Sequence, residues 1–232
     1  MHEYIVNTNI DILSLTETWL DCDKHSSVIP EVLPSGYRIQ AITRPDGRQG
    51  GGIALIYREC MKLKILQIDT LCTTFEKHLV TVQIGNLHFT LMTVYRPPPS
   101  PSNKLKIADF YVEWPLLLDE LNSSTHKVII VGDINIHLDE FNKHDTSKFL
   151  SMIKSVGMLQ HVDKPTHKSG HILDVVITRE SDNIIVGPVQ VNDPPLMYNS
   201  SGTQAGDHSV IVFNVRSRCK QTPVKENNCG IP

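Results

Sequence analysis

Short apolar runs rich in β-branched side chains recur along the chain: DILSL (11–15), GIALIY (52–57), HLVTVQI (78–84), HFTLMTVY (88–95), KVIIV (127–131), LDVVIT (173–178) and SVIVFNV (209–215). Each has strand length and is bounded by turn residues. Gly85-Asn86 between two of them predicts a hairpin loop. Two segments follow the helical period instead. DTSKFLSMIKSVG (145–157) puts Phe149, Met152, Ile153 and Val156 on one face. Asp145 or Thr146 is placed to cap its start, and Gly157 falls where a helix end favours positive φ. KIADFYVEWPLLLDEL (106–121) is also helical in pattern, but Pro115 predicts a kink or a division. Many strands with few helices between them predict an α+β fold of packed sheets, not a doubly wound parallel one.

The proline cluster YRPPPSPS (95–102) reads as a loop, because proline cannot continue a central strand. From Arg216 onward the chain turns polar, and 216–232 reads as a disordered tail. With 232 residues, 40% apolar and 20% charged, the rest suffices for one large core. No apolar run reaches the length of a membrane-spanning helix. The net charge of −3 gives no bulk signal for nucleic acid. Basic residues nevertheless gather between 36 and 64 (Arg38, Arg44, Arg48, Arg58, Lys62, Lys64) and again at Arg96, Lys104 and Lys106, where a local face could meet phosphates. Five scattered cysteines, with no C-x-x-C pair, predict neither a structural zinc site nor a disulfide framework. With no secretory leader at 1–9, they point to a reducing compartment.

The chemistry gathers at strand ends. DILSL runs into Thr16-Glu17, HFTLMTV ends in Tyr95, and KVIIV ends in Gly132-Asp133 with Asn135 two residues on. LDVVIT carries Asp174, and Asp207-His208 directly precede SVIVFNV. A single acid at a strand end is usually a turn former. Several such ends in packed sheets converge on one rim. They supply hard oxygen ligands for Mg²⁺, an imidazole with a carboxylate to orient it, and a phenol. Those parts suit metal-assisted attack of water on a phosphoester. RQGGGIAL (48–55) matches no phosphate-binding glycine motif and reads as a hairpin or loop. No G-x-S-x-G nucleophile elbow is present. Of eleven histidines, His137 and His208 stand out by position, and His208 is the one taken as functional.

LTETWL (15–20), GGGIALIYR (50–58), VYRPP (94–98), VGDINIH (131–137), PTHKSGHILDVVIT (165–178) and GDHS (206–209) occur in an order and spacing that resembles the endonuclease/exonuclease/phosphatase family. They look most like the endonuclease domain of LINE-type non-LTR retrotransposons, which is similar to AP endonucleases. The resemblance covers about residues 1–215 and implies a four-layer α/β sandwich, two sheets packed face to face between helices. It implies Mg²⁺-dependent (or Mn²⁺-dependent) nicking of DNA, a nuclear location, and a reverse transcriptase domain as partner in a full-length element. By motif, Glu17 and Asp207 look like the acids at the metal. Tyr95 resembles the tyrosine at the scissile phosphate, Asp133 the residue that handles the attacking water, and Asn135 its phosphate-binding neighbour. Asp174 and His208 resemble the carboxylate–imidazole pair. Arg48, Arg96 and Thr166 are candidates for the nucleic-acid face.

The family normally opens with a strand bearing an Asn near the metal. DILSL lies only a few residues from Met1, and Asn7 and Asn9 are poor substitutes. One sheet is therefore expected to lack a strand and to expose backbone groups, and the metal site to lack one polar group. Gly206 stands where the family commonly has Ser. Besides a DNA-nicking enzyme, two readings follow: an impaired remnant that keeps the fold and binds nucleic acid, and a phosphoesterase for small molecules on the same fold.

Overall fold

In the computed structural model, which describes residues 1–20, 29–42, 50–193 and 206–216, every apolar run named above lies in a strand. The strands are β1 (Ile12–Thr16), β2 (Tyr37–Ile42), β3 (Ile53–Arg58), β4 (Lys62–Ile65), β5 (Glu76–Ile84), β6 (Leu87–Tyr95), β7 (Lys127–Asp133), β8 (Met158–Gln160), β9 (Asp174–Arg179), β10 (Ile185–Asn192) and β11 (Val210–Val215). The helices are α1 (His2–Thr8), α2 (Ile29–Val32), α3 (Ile107–Asn122) and α4 (His144–Ser155). The Arg48 and 217–232 expectations lie outside the described residues.

A six-stranded sheet, ordered β4-β5-β6-β7-β9-β8, forms one half of the sandwich. Gly85 and Asn86 close the β5–β6 hairpin as predicted, with Ile84 opposite Leu87. β6 and β7 run parallel, and α3 makes the crossover that a parallel pair requires. The facing half consists of a three-stranded sheet, β1-β3-β2, and the pair β10-β11. Among the described residues no strand pairs with the outer edge of β1 or of β11. Ser14 Oγ on β1 lies 2.7 Å from Thr93 Oγ1 on β6, joining the two layers. On the outer side of the small sheet, Ile5 of α1 packs with Leu13 and Ile56. α3 and α4 cover the large sheet with Phe110, Trp114, Leu117, Leu118, Phe149 and Ile153. The result is the α+β, helix–sheet–sheet–helix sandwich that the sequence predicts.

Two local expectations are corrected. Pro115 does not divide the 106–121 segment: α3 is one helix with the proline inside it. A proline costs a helix interior about 3 kcal/mol. Burying a large apolar side chain returns roughly 1.5–3 kcal/mol, and α3 buries Phe110, Trp114, Leu117, Leu118 and Leu121 on one side. Phe110 and Trp114 also meet Phe75, at centroid distances of 5.6 and 5.7 Å. Packing therefore outweighs the break. At α4 neither Asp145 nor Thr146 caps: Lys143 is the N-cap residue and its side chain makes no capping bond. Thr146 Oγ1 donates instead to the carbonyl of His137, 2.8 Å away, and ties the helix to the loop after β7. Gly157 has the expected positive φ, 69°.

Candidate active site

The parallel pairing of β6 and β7 places Gly132 beside Val94 and Asp133 beside Tyr95. Gly132 has φ 131°, and a Cβ there would lie 1.9 Å from the Val94 carbonyl oxygen. Only glycine permits this approach, and it lets β7 deliver Asp133 to the strand end. Asp133 faces Asp174 across the antiparallel β7–β9 pair. The isolated bridge between His167 and His208 brings the segment before β11 alongside the loop that leads into β9. Four strand ends thus meet, and β1 adds a fifth at Glu17 from the opposite sheet.

Together they line an open cleft of about 450 Å³ whose wall includes Glu17, Asp133, Asn135, Asp207 and His208. Glu17 sits at φ 52°, in a turn held by backbone bonds from Thr18 N to Gly52 O (3.2 Å) and from Trp19 N to Gly51 O (2.9 Å). This is what the triple glycine does. A Cβ on Gly52 would stand 2.7 Å from Thr18 Oγ1, and its amide donates to Glu76 Oε2 at 2.7 Å. The Tyr95 hydroxyl, behind Glu17, donates to Glu17 Oε1. Burial, followed by Glu17, raises the Tyr95 phenol well above its ordinary value, so it stays a neutral donor.

Asp133 is 3% exposed. Its Oδ1 accepts from the Asn135 amide N–H at 2.8 Å and its Oδ2 from Asn135 Nδ2 at 2.7 Å. Burial first, and then the neighbouring Asp174, push its carboxyl up to about 7. His208 Nδ1 lies 2.9 Å from Asp174 Oδ2. Burial opposes a charge on His208, but the hydrogen bond and charge of Asp174, then Asp133 and Asp207, outweigh it and raise the imidazole to about 9. Asp207 is pulled low despite some burial, chiefly by His167, whose Nε2 is 3.3 Å from Asp207 Oδ2.

Those two raised values fix a stability trend with pH. The folded chain holds protons on Asp133 and His208 that the unfolded chain releases near 3.8 and 6.5. Their contribution to stability without a cation therefore falls as pH rises from about 4 to about 9, while His78 and His161, lowered by burial, contribute in the opposite sense. Urea unfolding in EDTA at about pH 5 and about pH 9, on the unsubstituted chain and on Asp133→Asn, isolates the Asp133 share. A pH trend that Asp133→Asn leaves unchanged contradicts the environment assigned to Asp133.

Two expected nucleic-acid contacts are corrected by burial. Arg96 is 3% exposed. It lies against the Phe110 ring and donates from Nη1 to the carbonyls of Ile134 (2.9 Å) and Asn135 (3.3 Å). Asn135, at φ 49°, donates back from Nδ2 to the Arg96 carbonyl at 3.0 Å. Arg96 thus holds the turn that carries Asn135. Thr166 is fully buried, and its Oγ1 accepts from the amides of Leu173 (3.0 Å) and Asp174 (3.2 Å). Its carbonyl accepts from Ser209 N at 2.7 Å, which aligns His208 with Asp174.

The cleft also contains histidines that sequence reasoning did not select: His137, His167 and His171. His137 and His171 stack with ring centroids 3.9 Å apart, and the Nδ1 of His171 meets Asp139 Oδ2 at 2.9 Å. The signal was present in PTHKSGH, whose polar residues follow one another without a period.

The sequence profile of the endonuclease/exonuclease/phosphatase family matches residues 1–208. The chain belongs to this family. The endonuclease/exonuclease/phosphatase proteins are hydrolytic nucleases and phosphatases, and they generally use divalent metals. No curated protein sequence matches the chain. Solved structures do. The endonuclease domain of TRAS1, a telomere-specific non-LTR retrotransposon, superposes with TM-score 0.64 at 14% identity, covering 93% of this chain and 90% of that one. The AP endonuclease LMAP from Leishmania major gives 0.68 at 12% identity, covering 93% and 81%. The mannosyl-6-phosphatase Bt3783 from Bacteroides thetaiotaomicron gives 0.59 at 11%, covering 93% and 89%. At such identities the likeness shows the shared fold, and this family's fold carries both nucleic-acid and small-molecule chemistry.

Proposed function

We propose that this chain is a divalent-metal-dependent phosphodiesterase that nicks DNA, of the retrotransposon-endonuclease kind. The observation that carries the reading is the His208–Asp174 pair beside buried Asp133, with Glu17 and Asp207 in the same cleft. The donor set fits a hard cation such as Mg²⁺, or Mn²⁺: Glu17 and Asp207 offer carboxylate oxygens, and Asp133 beside them is short of positive charge. When bound, such an ion supplies positive charge beside the phosphate. The remaining work falls to side chains of the chain.

Asp133, poised at about 7, accepts a proton from the attacking water. Asn135 keeps that carboxylate oriented; its two Nδ2 hydrogens are engaged by Asp133 Oδ2 and the Arg96 carbonyl, so it reaches a phosphate oxygen only by releasing one of them. His208 is charged through the neutral range, and Asp174 holds its Nδ1–H, so Nε2–H is free to donate to the phosphate as charge grows on its oxygens. Tyr95 fixes the Glu17 carboxylate by its hydroxyl. The 1–215 span acts as the catalytic domain, and a reverse transcriptase partner and a nuclear setting go with this reading.

A nicking assay on supercoiled plasmid, with Mg²⁺ or with EDTA, tests it. The expected result is metal-dependent conversion to open circles. Because no strand among the described residues pairs with the outer edge of β1, the rate is expected to be higher when an Asn-bearing strand is supplied in fusion beside it. Turnover of sugar phosphates with no action on DNA in either form would move the assignment to small phosphoesters. DNA binding without cleavage in either form would mark a non-catalytic binder.

The placement of Arg96 makes a separate prediction. Arg96→Ala is expected to cost about 2–4 kcal/mol of stability through two unpaired carbonyls and a lost buried side chain. In the nicking assay it should lower kcat more than it raises KM, because Arg96 reaches the reaction only through Asn135. A rise in KM for DNA alone would return Arg96 to the DNA surface.

A further inference from the structure

His167, Asp207 and His208 form a second donor set within the same cleft, and it differs in kind from the carboxylates around Glu17. One ligand atom from each lies within 4.8 Å of the others. His167 Nε2 and Asp207 Oδ2 are already 3.3 Å apart. Two ligand atoms bound to a tetrahedral zinc at 2.0–2.1 Å sit about 3.3 Å from each other. Both imidazoles are also oriented from behind. His208 Nδ1 is held by Asp174 Oδ2 at 2.9 Å, and His167 Nδ1 lies 2.6 Å from Ser169 Oγ. In His208 this leaves Nε2 as the nitrogen able to take a metal, and a carboxylate behind a ligating histidine is the usual support of a zinc ligand. In His167 the Ser169 backbone N–H also donates to Nδ1 at 3.1 Å, so a metal at Nε2 requires the ring proton to move to Nδ1, where Ser169 Oγ accepts it.

The backbone fixes the pair as well. His167 and His208 form an antiparallel bridge, and Lys168 N donates to the Asp207 carbonyl at 2.9 Å. Asp207 is the exposed member, with 70% of its side chain in solvent, so a rotamer change is sterically open to it as the site closes. Two imidazoles and one carboxylate suit a borderline transition-metal ion such as Zn²⁺ or Co²⁺. Mg²⁺ prefers six oxygens and keeps its waters.

We infer that His167, Asp207 and His208 form a transition-metal site that inhibits the enzyme when filled. An ion bound there displaces the proton of His208 Nε2 to solvent and so removes the donor that would otherwise face the phosphate. It also removes Asp207 from the hard-cation set. The inhibitory consequence rests on the phosphodiesterase reading; the binding site itself does not.

The test uses the untagged chain in Mg²⁺-free buffer and titrates it with Co²⁺. The expected result is one equivalent bound with the visible absorption of four- or five-coordinate cobalt, without the near-ultraviolet band of a cobalt–thiolate bond. Zn²⁺ should displace the cobalt. His167→Ala and His208→Ala are each expected to weaken Zn²⁺ binding by about tenfold or more in calorimetry. Circular dichroism confirms that the variants are folded. A Zn²⁺-induced rise in thermal midpoint that shrinks in His167→Ala gives a second readout. Absence of the cobalt spectrum, or a spectrum and Zn²⁺ affinity that survive both substitutions, overturns the site. In the nicking assay, Zn²⁺ added over Mg²⁺ should inhibit the unsubstituted chain and inhibit His167→Ala less. Equal inhibition of both overturns the regulatory claim and leaves the DNA-nicking assignment standing.

Discussion

Asp133→Ala is expected to lower Mg²⁺-dependent nicking by about 10³-fold or more while the chain remains folded. A positioned general base contributes about 10²–10⁴-fold, and Asp133 has the attributes of one. It is buried, its carboxyl is pushed up to about 7, and it lies at the strand end that opens into the cleft. Its removal also frees Asn135, which spends one amide bond on Asp133 Oδ2 and its backbone N–H on Oδ1. The loss should therefore exceed that of proton transfer alone. It should appear in kcat, because Asp133 is too buried to contribute much to DNA binding. Nicking rates at saturating plasmid, compared with circular dichroism of the same samples, check this. Nicking within about tenfold of the unsubstituted chain would remove Asp133 from the water-handling role.

The strands were legible because each buried run had the composition that a two-sided sheet selects. β3, β7 and β9 are buried almost end to end, and their sequences are nearly continuous in β-branched and other apolar residues. β2, β4, β8 and β10 were not singled out. They are short or half-exposed, and their patterns, such as KLKI in β4, carry little apolar content. α3 was legible despite Pro115, but its continuity was not, since that depends on Phe75 and Phe149 arriving from elsewhere. For the site, strand-end position was a usable signal for what folds together: Glu17, Asp133, Asn135, Asp207 and His208 line one cleft, with Tyr95 bonded to Glu17 and Asp174 to His208. The nucleic-acid face assigned to Arg96 and Thr166 does not agree with their burial. A basic residue in a proline loop and a threonine in a polar segment look solvent-facing in one dimension. Both are turned inward because two carbonyls in one case, and two amides in the other, need partners in a buried turn. The same long-range closure hid His167, which meets Asp207 and His208 only after the segment before β11 folds back on it.

Asp133 therefore depends on inward-facing supports as much as on its own chemistry. Gly132 admits the close pass by Val94, Arg96 pins the following turn, and Thr166 holds the start of β9. Each support lies on an element of the packed core. That keeps the polar groups at fixed separations, as a reaction needing donors at set distances requires.

His208→Ala should lower nicking by about 10²–10⁴-fold, and Asp174→Asn should act through the same group. The structure separates the two variants. His208→Ala removes the donor outright. Asp174→Asn leaves the ring but takes away its largest source of charge stabilisation, the hydrogen bond and the charge at Nδ1. Its imidazole should then titrate lower, because burial is no longer outweighed. In the unsubstituted chain the donor form persists until pH rises through about 9, and the base form of Asp133 accumulates as pH rises through about 7. Nicking should rise on the acid limb and fall on the alkaline one, with a bound cation drawing both limbs toward lower pH. In Asp174→Asn the alkaline limb should move down toward neutrality and narrow the bell, whereas in His208→Ala it should vanish. Initial rates at constant ionic strength across that range decide the point. An alkaline limb that survives His208→Ala would belong to another group, and His208 would lose its place as the proton donor facing the phosphate.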